Sequence, residues 1–284
     1  MRLKTVTLLF VLLFFPTLIF SQSHLDPIQA EIEASLCDVD ETELIRTLEL
    51  KPNTSGWVLY YDTLNQDYQK NQVTLRLRIR SKKNPEATVK ARSFGTWSES
   101  EKQEVLRAIP ADHDFKMETD LYVNQSSAPQ DLWFTSLISK QTLSIEYELD
   151  KSSELFSEKS VADWIRRRLD SPGESIPFDC PFSDSQENLA MHAALQRNLP
   201  DLQPKNVFSL MAWKAPESSG LEVQKREMIL PKNHAAIYEV TKKVQLSHTQ
   251  SMKEAVHQFK TQLISKGLVL CSEFISARAL MAWD

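Results

Sequence analysis

Between Val73 and Arg80 the chain reads VTLRLRIR, with Val73, Leu75, Leu77 and Ile79 at one parity and Thr74, Arg76, Arg78 and Arg80 at the other. A period of two is the repeat of an extended strand, so one face is apolar and the other carries three guanidinium groups. Residues 81–86 (SKKNPE) have turn character around Asn84-Pro85, and residues 87–92 (ATVKAR) read as a second strand. The two strands predict an antiparallel hairpin that brings Lys90 and Arg92 near the arginine row. Two environments remain open for that row. A charged strand face is commonly the solvated side of a sheet, and it is also the wall a polyanion-binding tunnel requires.

Glycine usage narrows the chemistry. The 284 residues include 5 glycines, namely Gly56, Gly95, Gly173, Gly220 and Gly267, too far apart for any two to share a phosphate-cradling loop. Walker loops, dinucleotide fingerprints and nucleophile elbows each need two or three glycines within a few residues. Any phosphate site here must therefore be built from side chains. With 42% hydrophobic and 25% charged residues, the chain can bury a core of one large domain or two small ones.

The N-terminus predicts a leader outside that fold. Arg2 and Lys4 precede an apolar run over residues 6–20, and Ser21-Gln22-Ser23 offers small residues for cleavage, the pattern of a secretory signal peptide at 1–23. The run is shorter than the ~20 residues a membrane span requires and contains Pro16. The expected mature protein is exported, periplasmic or secreted, with no membrane span after cleavage. Losing Arg2 and Lys4 deepens the net charge from -5 to -7, which disfavours a nucleic-acid duplex as partner but leaves room for a local basic pocket. Cys37, Cys180 and Cys271 allow one disulfide and one leftover thiol, in any pairing. No HxH or HExxH spacing exists among the six histidines, so a zinc site is not expected.

Along the rest of the chain, residues 38–50 and 161–169 read as helices, as do 98–109, 186–198 and 251–265. Strands are expected at 57–61, Phe115–Val123, 144–149, 207–213, 221–229 and 237–245, and a loop at 171–185. The segment after Asp26-Pro27 reads either as a strand aligning Glu31 with Glu33 or as a helix that would scatter them. Strands and helices without βαβ alternation predict an α+β fold with mainly antiparallel pairing. Residues 24–284 are read as one domain, with 124–204 as an insertion open to a protein partner.

The order of the charged pieces resembles the CYTH, or triphosphate tunnel, superfamily. Tyr60-Tyr61-Asp62-Thr63, then Leu77-Arg78-Ile79-Arg80, then Thr88-Val89-Lys90 follow its first-half signature. Glu31-Ile32-Glu33-Ala34-Ser35 stands where that family begins with Glu-x-Glu-x-Lys, and Ile237-Tyr238-Glu239-Val240 is similar to its late "YExE" strand. The resemblance covers about residues 29–123 and 205–280. It implies an eight-stranded tunnel-like barrel with flanking helices, whose inward basic groups hold a phosphate-rich anion such as tripolyphosphate or a nucleotide, through Mg2+ or Mn2+. Carried over by position, Arg76, Arg78, Arg80, Lys90 and Arg92 would bind phosphate. Glu31 and Glu33 would activate water, and Glu118, Asp120 and Glu239 would hold the metal. Ser35, Thr241 and Lys243 replace charged positions of the pattern, and Gln224 and Arg226 stand where an aspartate would aid a metal. Fewer carboxylates weaken Mg2+ binding, which makes anion binding with weak or absent hydrolysis the leading expectation. A metal-dependent triphosphatase and a structural, partner-binding protein are the alternatives.

Overall fold

Strand alternation of the VTLRLRIR type is stable only if the polar face has somewhere to go, and in the computed structural model that place is the inside of a closed barrel. Residues 28–63, 66–70, 73–81, 83–92, 115–123, 138–149, 154–171, 176–182, 202–230, 236–246 and 249–272 are described. They form β1 (Ile28–Leu36), α1 (Glu41–Leu48), β2 (Lys51–Asp62), α2 (Asp67–Lys70), β3 (Val73–Arg80) and β4 (Glu86–Arg92). There follow β5 (Phe115–Val123), β6 (Ile138–Glu148), a 3-10 turn (Glu154–Phe156), α3 (Glu158–Asp170), β7 (Gln203–Lys214), β8 (Leu221–Leu230), β9 (Ala236–Leu246) and α4 (Thr249–Ser265). The expected leader at 1–23 and the expected helices at 98–109 and 186–198 lie outside the described residues.

The strands run β1-β5-β6-β4-β3-β2-β7-β8-β9 around the barrel, and β9 pairs with β1 to close it. The expected tunnel-like barrel is present, with nine strands among the described residues and one parallel pairing, β1 with β5. Sequence periodicity shows only the end of β6, within the segment read as an insertion. In the structure β6 joins β5 to β4, with Asp120 opposite Lys140 and Lys90 opposite Ser144. Residues 28–36 are a strand, so Glu31 and Glu33 share a face.

Apolar side chains lie mostly on the outer face, under the helices. Ile32, Ala34, Val223 and Val240 pack with Leu44 and Leu48 of α1 and Val256, Phe259 and Leu263 of α4. On the other side Leu75, Leu77, Val89 and Tyr61 pack with Val161, Trp164 and Ile165 of α3. Each large apolar side chain buried this way contributes roughly 1.5–3 kcal/mol. The helix starts are specified locally: Asp40 accepts from the Glu43 N–H (2.9 Å) and Ser157 from the Ser160 N–H (3.1 Å).

Residues 52–56 (PNTSG), between the expected helix at 38–50 and the expected strand at 57–61, belong to β2. A register shift at Pro52/Thr54 absorbs the proline, and Gly56 lets β2 approach β3. A Cβ at Gly56 would fall 1.9 Å from the Ile79 carbonyl oxygen, so only glycine fits there. Of the pairings left open, the disulfide is Cys37–Cys271, which ties the end of β1 to the chain beyond α4; Cys180 keeps a half-buried thiol.

Candidate functional site

With the apolar parity of β3 covered by α3, Arg76, Arg78 and Arg80 turn into the lumen. They stand across from Tyr60, Val58 and Gly56 of β2, and Arg76 and Arg78 stand across from Thr88 and Glu86 of β4. The three arginines line one wall of a cavity, together with Tyr60, Leu210 and Arg226. Arg76 donates to the Thr88 hydroxyl (3.2 Å), while Arg78 and Arg80 both donate to the Glu86 carboxylate.

The facing arc of β1, β5 and β9 is acidic. Glu31 and Glu33 alternate along β1, Asp120 on β5 is opposite Glu31, and one carboxylate oxygen from each of the three lies within 4.8 Å of the others. Asp120 is fully buried, and the Tyr122 hydroxyl donates to it (3.3 Å). Burial holds the Glu33 carboxyl well above its ordinary range; repulsion from Glu239, Glu31 and Asp120 raises it further, and Lys90 partly offsets this. Lys90 is thus electrostatically part of the acidic arc as well as a neighbour of the basic wall.

A third arc is apolar. Val58, Tyr60, Phe208, Leu210, Met228 and Ile237 form a buried cluster, with the Tyr60 and Phe208 rings edge to face at 5.7 Å. Beside it, Arg226 of β8 pairs with Glu239 of β9 (3.1 Å) and also donates to Gln224 (2.9 Å). Burial by itself would lower the Arg226 pKa; Glu239, Tyr60, Glu33 and Glu31 together outweigh it, and the net shift is upward.

Of the residues singled out in sequence, Glu31, Glu33, Arg76, Arg78, Arg80, Lys90, Asp120 and Glu239 share this lumen. Arg92 and Glu118 sit on β4 and β5 at positions opposite Thr142 of β6, and their side chains lie outside what is described. Two further lumen residues have no clear mark in the sequence. Glu86 falls in the turn that Asn84-Pro85 predicts, although it lies two and four residues before Thr88 and Lys90 on one strand face. Arg226 reads only as a missing aspartate, although Glu222, Gln224 and Arg226 alternate on β8 as the arginines do on β3. Asp62 of the Tyr-Tyr-Asp-Thr run is structural. Its carboxylate accepts from the N–H groups of Thr63, Tyr68 and Gln69 at 2.7, 3.0 and 3.0 Å, fixing the turn into α2.

No protein-family profile matches the chain, and no curated protein does. Among solved structures it is similar to a Hippeastrum protein described as a candidate adenylyl cyclase with a dominant triphosphatase activity. That match has 14% identity, covers 88% of this chain and 93% of the other, and has a TM-score of 0.44. A candidate adenylate cyclase from Bacillus halodurans matches at 12% identity over 89% of this chain and 94% of its own, TM-score 0.43. A Pyrococcus horikoshii protein matches at 12% identity over 86% and 94%, TM-score 0.38. The chain has the closed, charged-lumen barrel that its sequence resemblance to the triphosphate tunnel superfamily implies.

Proposed function

We propose that the barrel binds a phosphate-rich anion, of the tripolyphosphate or nucleoside triphosphate kind, with weak or absent hydrolysis. The observation that carries this reading is the arginine wall: three guanidinium groups at alternate positions of one strand, all lining a single cavity. Planar guanidinium forks donate to two phosphate oxygens at once, and three long arginine side chains at alternate positions of one strand face can converge on one polyphosphate.

The residues present also suit a divalent ion. Glu31, Glu33 and Asp120 offer hard oxygen donors in reach of one another, and their crowding is what a dication relieves. Mg2+ or Mn2+ held there would neutralise phosphate oxygens and make a bound water more acidic. The chain's own groups favour binding over turnover. Glu239 is engaged by Arg226 at 3.1 Å, and Thr241 and Lys243, the next two residues of its parity on β9, offer no carboxylate. Metal-dependent triphosphate hydrolysis is the second reading, and the carboxylate trio favours it. We place the protein outside the cytoplasm, supported by the leader-like N-terminus and by the Cys37–Cys271 bridge, a bond that oxidising compartments preserve.

Thermal unfolding with tripolyphosphate, in chelator and then with Mn2+, combined with a phosphate-release assay, tests this. Stabilisation in both media with little phosphate released is expected. A flat response to tripolyphosphate, ATP and GTP would end the binding reading, and rapid Mn2+-dependent release would assign the hydrolase instead.

A further inference from the structure

Glu86 is a carboxylate in direct contact with the arginine wall. Arg78 and Arg80 both donate to it, and the Thr88 hydroxyl, itself held by Arg76, lies 3.4 Å from the same carboxylate. The side chains involved are 21% exposed for Arg78, 17% for Arg80 and 14% for Glu86, so these contacts are shielded from bulk water without being sealed from the cavity. The carboxylate therefore occupies donor positions that an incoming phosphate would use. Resting on the anion-binding reading above, we propose that Glu86 sets the specificity of the lumen, acting as a built-in anion that rejects anions of one or two phosphates and yields to a chain of three or more.

The selection follows from exchange. A monophosphate or a carboxylate entering the wall replaces two charge-assisted hydrogen bonds with two of the same kind while Glu86 is left in a low-water site with its charge uncompensated, so little is gained. A triphosphate can take donors from Arg76, Arg78 and Arg80, whose side chains converge near Glu86 and Thr88, and carries enough charge to displace the carboxylate. Glu86 belongs neither to the acidic trio nor to the groups assigned to water activation. It is a positioning residue that acts through Arg78 and Arg80.

Glu86→Gln keeps the shape of the side chain and removes its charge. Calorimetric titrations of wild type and E86Q with orthophosphate, pyrophosphate and tripolyphosphate in chelator give the test, with circular dichroism to show that both are folded. Orthophosphate and pyrophosphate affinities are expected to rise about tenfold or more in E86Q, and tripolyphosphate affinity to rise less, so that discrimination by chain length shrinks. A residue that merely braced the hairpin would lower the unfolding temperature and leave that ratio where it was, which overturns the proposal. Wild type that binds tripolyphosphate beside an E86Q that binds every anion more weakly also overturns it. Silence from both proteins with all three anions removes the binding reading itself, and this proposal with it. Glu86→Ala carries the same test should the glutamine variant not fold.

Discussion

Asp120 is fully buried beside two other carboxylates, an arrangement that costs stability until a cation relieves it. Asp120→Asn is expected to stabilise the protein in chelator by about 1 kcal/mol, since one like charge leaves the cluster, and to abolish the thermal shift produced by Mn2+. The pH dependence carries the same signature. Because the folded Glu33 carboxyl titrates above its unfolded value, its favourable contribution is full below the unfolded pKa and is lost as pH rises toward the folded one. Urea unfolding between about pH 4.5 and pH 7 checks both points: the stability difference between Asp120→Asn and wild type grows with pH, and a constant difference would contradict the account. At this scale the arginines are legible in sequence because alternation on a strand is a two-residue pattern. Glu86 and Arg226 are not, because their roles come from partners across the sheet, Arg78 and Arg80 for one and Glu239 for the other.

Helix α1 is held to the barrel at its first residue. Glu41 accepts from Lys225 on β8 and from the Tyr238 hydroxyl on β9, both at 2.8 Å, and Lys225 lies 5.7 Å from the centre of the Tyr238 ring. The hydrogen bond from Lys225, then that from Tyr238, draws the Glu41 pKa down, so this contact stabilises above the ordinary glutamate range and is lost on acidification. Glu41→Gln should cost a few tenths to about 1 kcal/mol at about pH 7, screened because the side chain is 39% exposed, and nothing near about pH 3; chemical denaturation at the two pH values reads the difference. Most elements are visible in sequence as periodic runs. Those that are not depend on distant pairing. β2 extends through Pro52 because β7 pairs with it there, opposite Trp213, while β3 joins from Gly56 onward, and β1 settles as a strand because β5 and β9 supply its hydrogen bonds.

Closure of the barrel is a property of the whole chain, since β1 completes it by pairing with β9, at the far end of the sequence. The Cys37–Cys271 bridge spans 234 residues beside that seam and restricts the unfolded chain over nearly its whole length. Reduction should lower stability by about 2–5 kcal/mol, and thermal unfolding with and without reductant checks it; an unchanged midpoint would mean that the bridge does not form. Neither the pairing of cysteines nor the strand order can be read locally, because both are decided by which surfaces meet after folding. Glycine scarcity, in contrast, has a whole-molecule meaning in the sequence itself: phosphate has to be met by side chains, and the lumen presents Arg76, Arg78 and Arg80 for it. The most direct measurement is a calorimetric titration of tripolyphosphate, in chelator, into wild type and into the R76Q/R78Q/R80Q variant. Saturable binding to wild type, weakened about a hundredfold or more in a folded variant, is the expected result. Equal heats from both proteins, or none from wild type, would contradict the account.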